Sequence, residues 1–362
     1  MIARALLLKI HLVLGLVAAV FLVILGLKGS VMAFEGDIDH WFHPGLFYVA
    51  PATATLPEEE LIGAANRQFA PSRVNAVQIS RQADIARVMQ MTNGLTVFVN
   101  PYNGSILGSV HGGFPSDRIT GYIHQIHLRL VADPRSAPGF APIGKTIVSF
   151  AGLILCLLVP TGAILFLRTR RTWIKWNASW YRICFDAHHV VGIYAALFLL
   201  IAAFTGIMIG FEWGERAIYA ATHSRPPARM APVRSSSVAG AAPITADRAL
   251  EIAREALPGA SVAGFLIPLN APGVFTVLMR FPEDTSEAVH STVSIDQFSG
   301  KVLQSRNFLT DSAGYRVIRF NRSIHTGDVW GLPSHILVSV SSLALVAMVV
   351  TGLVIWSKKL AI

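Results

Sequence analysis

The sequence predicts an integral membrane α-helical bundle of four transmembrane helices with an internal two-fold repeat, carrying two small α+β domains outside the bilayer. Three observations predict it. Hydrophobic residues make up 53% of the 362 and charged residues only 14%, against about a quarter charged in an ordinary soluble domain. The apolar residues are gathered into four runs, each long enough to supply the roughly 20 helical residues that cross a hydrocarbon core of about 30 Å. The two halves of the chain also repeat one another.

The first run is Leu6 to Phe34, broken only by Lys9, His11 and Lys28. It exceeds the about 7–15 apolar residues of a secretory leader's core and lacks a clear A-x-A site, so it reads as a span. The others are Ile147 to Leu167, Val190 to Phe211 and Ile336 to Trp356. Net charge is +9, and its placement argues against nucleic acid as a partner. Arg168, Arg170, Arg171, Lys175 and Arg182 fill the short loop between the second and third runs. Arg4 and Lys9 accompany the start of the first run, and Lys358 and Lys359 follow the fourth. Positive residues favour the cytoplasmic side, so both termini are expected inside. The basic stretch Arg118 to Lys145 then falls outside, which long translocated segments tolerate. Cys156 and Cys184 sit in membrane helices where a bridge is improbable, and no C-x-x-C pair is present.

Between the runs lie two outer segments, about Glu35–Pro142 and Glu212–Pro333. Thr55-Leu-Pro-Glu58 has the capping-box pattern and opens an amphipathic helix to about Phe69, and Thr245 opens another through Ala256. Short alternating strands follow each: Val74–Ile79, Ala86–Met91 and Thr96–Val99, then Val262–Ile267, Val274–Arg280 and Ser291–Ile295. Each set ends in a hairpin, turned at Asn103-Gly104 and at Ser299-Gly300. The stretch His223–Pro243, rich in Pro, Ala, Ser and Arg, reads as a mobile linker. The expected domains are residues 1–34, a first transmembrane helix; 35–142, a periplasmic α+β domain; 143–168, a second helix; 169–187, a basic cytoplasmic loop; 188–211, a third helix; 212–332, a second periplasmic domain with its linker at 223–243; and 333–362, a fourth helix and cytoplasmic tail.

The membrane helices repeat as well. His11-Leu-Val-Leu-Gly15 matches His188-His-Val-Val-Gly192, and the same offset pairs Phe21 with Phe198, Gly29 with Gly206 and Glu35 with Glu212. The second and fourth helices share Thr161-Gly162 and Thr351-Gly352, and Ile126-His127 corresponds to Ile324-His325. The first and third helices run the same way, so a pseudo-two-fold axis should lie along the membrane normal.

That symmetry brings equivalent histidines face to face: His11 with His188 near the cytoplasmic side, His127 with His325 at the outer ends of the second and fourth helices. Opposed imidazoles between packed helices are what bis-histidine haem requires. Without a C-x-x-C-H attachment motif it would be haem b, and two pairs imply two haems. Gly15 and Gly192, one turn from their histidines, leave room for a ring. His124 shares a helical face with His127, His335 rivals His325 and His189 adjoins His188, so these three stay open as alternate ligands. His40, His43, His111, His223 and His290 read as surface residues. A proton relay or transition-metal site is the competing reading, although such metal sites usually bring carboxylates or thiolates. Two haems would make a wire across about 30 Å of hydrocarbon. No G-x-G-x-x-G follows a strand, so electrons would come from a quinol or a separate cytoplasmic reductase.

These residues carry a family resemblance. The pattern H-x3-G opening the first and third helices, the I-H-x-x-H-L-x-L stretch at Ile123–Leu130, and Ile324-His-Thr-Gly-Asp-Val-Trp-Gly-Leu-Pro333 resemble the PepSY-associated transmembrane family, and the outer units resemble PepSY domains. The resemblance spans nearly the whole chain. Members with this layout include inner-membrane di-haem ferrisiderophore reductases. It implies a periplasmic Fe(III)–siderophore as substrate, reduced so that the weaker Fe(II) complex releases its metal. Arg316, Arg319 and Arg322, with Phe320 and Trp330, are candidates to seat that substrate or to anchor the chain at lipid headgroups. Two rival readings are a non-catalytic membrane anchor whose PepSY-like domains bind or inhibit a periplasmic protease, and a permease accessory.

Overall fold

The computed structural model describes every residue except 1, 113–116, 132, 134, 229, 237–240, 285–290 and 361–362. His290 therefore lies outside the described residues. The elements in chain order are α1 (Ile2–Met32), α2 (Glu35–Phe42), α3 (Pro44–Phe47), α4 (Glu58–Gln68), β1 (Val74–Gln78), β2 (Arg87–Met91), β3 (Leu95–Val99), β4 (Ile106–His111), α5 (Asp117–Arg129), α6 (Phe140–Thr169), α7 (Trp180–Gly210), α8 (Glu212–Ala221), α9 (Ala246–Ala256), β5 (Ser261–Leu266), β6 (Val274–Arg280), β7 (Ser291–Asp296), β8 (Val302–Arg306), α10 (Ala313–Thr326) and α11 (Leu332–Leu360). They divide into a helical unit, residues 1–35, 119–225 and 317–362, and a sheet unit, residues 36–118 and 226–316.

In the helical unit α1, α6, α7 and α11 are long and apolar enough to cross a membrane, and the chain is a membrane protein. Each begins or ends several residues beyond its apolar run, because the hydrogen-bonded ladder continues into polar flanks that water can solvate. Their outward faces are apolar too: Val17 is 61%, Val20 67% and Leu197 62% exposed. Such faces suit lipid rather than water. Trp173, Trp176 and Trp180 stand exposed around the basic loop, where interfacial aromatics collect.

The four helices close a ring. α1 packs on α6 and α11, and α7 packs on the same two, so the repeat-related helices stand diagonally. The seam is built from Ala18, Leu22, Ala151, Leu155, Ala195, Leu199, Ala203 and Leu345. Lipid tails are as apolar as these side chains, so close packing of small residues supplies the attraction. α6 runs unbroken through Pro160. α5 and α10 are separate amphipathic helices rather than extensions of the spans. Leu130 (φ 57°) follows the first, and Gly327 (φ 91°) and Gly331 (φ 61°) follow the second, each in the left-handed region that turns the chain. His127 and His325 thus enter the bundle on short helices of their own.

The sheet unit holds both strand sets, joined as one. The strand order is β4-β3-β2-β1-β5-β6-β7-β8, every neighbouring pair antiparallel. The join is β1 on β5, pairing Ala76 with Leu266, Val77 with Phe265 and Gln78 with Gly264. Each half alone would leave that strand as an unpaired edge. One hydrophobic core underlies the whole, from Leu61, Ile62 and Ala65 of α4 and Ala249, Leu250 and Ala253 of α9 to Val77, Met89, Val97, Val277 and Val293 of the strands.

The helix starts differ from the capping-box expectation at one end. Thr245 does cap α9, accepting from the Arg248 N–H. Thr55 does not cap α4. Instead the Glu58 and Glu59 N–H groups donate to the Asp247 carboxylate at 2.9 and 3.1 Å, and the Ala246 N–H donates to Glu59 Oε2 at 2.9 Å. The two helices exchange caps across the repeat, satisfying groups each would otherwise leave orphaned. The expected linker is tied down near its end, where Ser235 Oγ donates to the Gly273 carbonyl and the Ser236 N–H donates to Asp296.

Candidate functional site

Two pairs of histidines meet inside the helical unit. The ring centroids of His11 (α1) and His188 (α7) are 6.4 Å apart, and those of His127 (α5) and His325 (α10) 6.5 Å. Helix geometry accounts for the first pair. His11 and His188 occupy repeat-equivalent turns of diagonal helices, so the pseudo-two-fold turns them toward the axis.

A Thr-Gly dipeptide on a neighbouring helix holds three of the four rings. The His11 ring lies over Gly162, His188 over Gly352 and His325 over Gly206, each so close that an added Cβ would stand 3.1–3.3 Å from the ring's Cε1. The preceding threonine in each case bonds the ring: Thr161 Oγ1 to His11 Nδ1 at 2.9 Å, Thr351 Oγ1 to His188 Nδ1 at 3.0 Å, and Thr205 Oγ1 to His325 Nδ1 at 2.9 Å. Each hydroxyl already donates its proton to a carbonyl one turn back, Leu157, Ala347 or Ile201, at 2.7–2.8 Å. The hydroxyl oxygen can then only accept, so the imidazole proton resides on Nδ1 and the Nε2 lone pair is left for a ligand. His127 is the exception. It packs on Gly29 in the same manner, but its buried Nδ1 has no hydrogen-bond partner.

Both pairs match the spacing of two imidazoles on one metal ion. Two bonds of about 2 Å, plus about 1 Å from each nitrogen to its ring centre, place the centroids about 6 Å apart. At the His11–His188 pair a cavity of about 430 Å³ opens between all four spans, lined mainly by leucine and glycine with Arg4 and Lys9 among its residues. That volume is within the range of a small-molecule or cofactor pocket. Gly15 and Gly192 do line it, though the Met348 methyl packs against Gly192. A planar, apolar macrocycle bound through the Nε2 atoms of His11 and His188 would suit this donor set and this lining.

The alternates are engaged elsewhere. His189 Nδ1 bonds the Phe185 carbonyl of its own helix at 2.8 Å, although the residue also lines the cavity. His124 Nδ1 is 3.2 Å from Glu35 Oε2, and His335 Nε2 is 3.6 Å from Asp328 Oδ1. Among the described residues no three His, Cys, Asp or Glu side chains cluster as a metal site. Burial lowers the basicity of His325, and that of His127 to about 3, with the charges of His325, His124 and Lys28 pressing the same way on His127. Both imidazoles are therefore neutral at ordinary pH, the state in which nitrogen ligates a metal.

Arg316, Arg319 and Arg322 share α10, but Arg316 belongs to the sheet unit and the other two to the helical unit. Arg322 is exposed, and its charge bears on His325. Phe320 and Trp330 are exposed as well. Asp186, in the first turns of α7, pairs with Arg182 of the same helix and with Arg171 of the basic loop at 2.9–3.0 Å. Among the remaining histidines His43, His111 and His223 are exposed, whereas His40 is half-buried with its ring 4.3 Å from that of Phe47.

The residues that sequence reasoning missed are Thr161, Thr205 and Thr351. Their signal was present as a Thr-Gly dipeptide in each of α6, α7 and α11, and it could be linked to the histidines only once the helices were packed. No curated protein matches the chain significantly. The family described as PepSY-associated TM region matches residues 8–359, almost the full length, and the protein belongs to that family.

Proposed function

We propose that the protein is a transmembrane b-type haem oxidoreductase of a bacterial inner membrane. It passes single electrons from a quinol or separate cytoplasmic reductase to a periplasmic Fe(III)–siderophore and so releases Fe(II). The observation that carries this reading is the paired histidines: two opposed couples at haem-ligating distance, three of the four rings held in the ligating tautomer by a threonine that can only accept. Haem supplies reversible one-electron storage at its iron. The chain's residues do the rest. His11 and His188 hold one group at the basic-loop end of the bundle, and His127 and His325 hold the other. The apolar seam excludes water between them. Arg319 and Arg322, with Trp330, offer cationic and aromatic surface to an anionic chelate, and the basic loop marks the cytoplasmic side.

A pyridine haemochrome count on purified protein tests this. Two haems b per chain are expected, falling to one in His11→Ala or His188→Ala and to one in His127→Ala or His325→Ala. Colourless protein from haem-replete cells would overturn it. The protease-binding alternative expects all four variants to function normally.

A further inference from the structure

The two histidine pairs differ in one respect that the repeat makes visible. Thr205-Gly206, which clasps His325, has Lys28-Gly29 as its equivalent in the first half. Gly29 still carries the His127 ring, while a lysine stands where the threonine hydroxyl would be, and the His127 Nδ1 atom is buried without a partner. Both rings of the His11–His188 pair have their threonine. A metal-bound imidazole that donates Nδ1–H to an oxygen pushes electron density onto Nε2 and stabilises the more oxidised metal. Three of the four rings have that bond and His127 lacks it.

Resting on the haem reading above, we infer that Lys28 sets the two centres at unequal reduction potentials, with the His127–His325 centre above the His11–His188 centre. Lys28 is a positioning residue here and touches no substrate. Two contributions have the same sign. A missing acceptor weakens His127 as an electron donor to iron, and the positive charge of half-buried Lys28 favours the state carrying one more electron. The nearby carboxylates are engaged, Glu35 with His124 and Asp328 with His335. Arg322 here, and Arg4 and Lys9 at the other pair, are exposed, so solvent screens all three. An electron entering as a single charge from a quinol-class donor at the basic-loop end would then move downhill to the far pair.

The test is a spectroelectrochemical titration of the full-length, haem-loaded protein, with haem counted on the same samples. The parent should titrate as two waves with two haems per chain. Lys28→Thr should lower the upper wave by about tenfold in its equilibrium constant, ~59 mV for one electron, leaving the lower wave in place and the haem count at two. Thr205→Val should raise the upper wave, whereas Thr161→Val and Thr351→Val should raise only the lower one. Two haems titrating as a single wave, or an upper wave unmoved by both Lys28→Thr and Thr205→Val, overturns the inference while sparing the haem reading. Absence of haem overturns both.

Discussion

Thr161 has one hydroxyl proton, and the Leu157 carbonyl accepts it. That local bond leaves the oxygen an acceptor only and fixes which nitrogen of His11 carries hydrogen. Replacing Thr161 or Thr351 by valine keeps the shape and removes the acceptor, so haem affinity at the His11–His188 pair should fall about 10–100-fold, the usual effect of losing the group that orients a metal-bound histidine. Transfer of haem from each variant to an excess of apo-myoglobin measures it, and an unchanged rate would leave the hydroxyl without that role. Glycine has the matching part. An alanine at Gly162 would place its Cβ 3.2 Å from the His11 ring, so Gly162→Ala should displace the ring and lower haem occupancy as well. At residue scale the histidines themselves were legible, because the offset that pairs Gly29 with Gly206 also marks His11 with His188, and a shared Ile-His dipeptide matches His127 with His325. The clasp was not. His11 and Thr161 are 150 positions apart, and only packed helices bring a proton donor to its acceptor.

At the scale of elements, the sheet unit depends on a seam that periodicity cannot reveal. Alternation identified the strands, yet which strand pairs with which is decided by contacts nearly 190 residues apart in sequence. The seam has a tight spot at Gly264, where a Cβ would lie 2.5 Å from the Val77 carbonyl oxygen. Gly264→Ala should therefore destabilise the sheet unit by about 1–3 kcal/mol, the ordinary cost of overpacking, and speed amide exchange at Ala76–Gln78. Thermal unfolding with hydrogen exchange reads both. The exchanged caps make a related prediction. Asp247→Ala leaves two N–H groups at the start of α4 unpaired and should cost about 0.5–2 kcal/mol. In the β7–β8 turn, Asp296 adds a pH dependence. Burial would raise its carboxyl, but the N–H donors of Ser299, Ser236 and Phe298 hold it below the usual aspartate value. A group depressed in the folded state contributes stability above its unfolded value of about 3.9, and that stability is lost as pH falls through the lower folded value. Parent protein should thus lose stability on acidification below about pH 4, and Asp296→Asn should be less stable at neutral pH with a flatter acid limb.

For the molecule as a whole, the repeat places one histidine pair toward each end of a ring of membrane helices, and on the proposed haem reading the order of the two centres matters more than their number. Hydrocarbon of about 30 Å separates the two aqueous phases, so a single centre serves only the phase beside it. Two centres in series fail together, whereas two in parallel would each retain a share. Protein reconstituted in sealed vesicles, with a quinol donor in the membrane and a ferric hydroxamate on the His127–His325 side, distinguishes these arrangements when Fe(II) is trapped by ferrozine as it forms. His188→Ala keeps the far pair and His325→Ala keeps the near pair, so each should retain one haem per chain. In a series arrangement both should lose nearly all transfer, and their spectra should differ: with donor present and chelate absent, the centre left in His325→Ala becomes reduced, while the centre left in His188→Ala stays oxidised. Retention of about half the parent rate in either variant would mean that the two pairs do not lie on one path, and the bundle would then be a holder of two independent groups rather than a conductor between two sides.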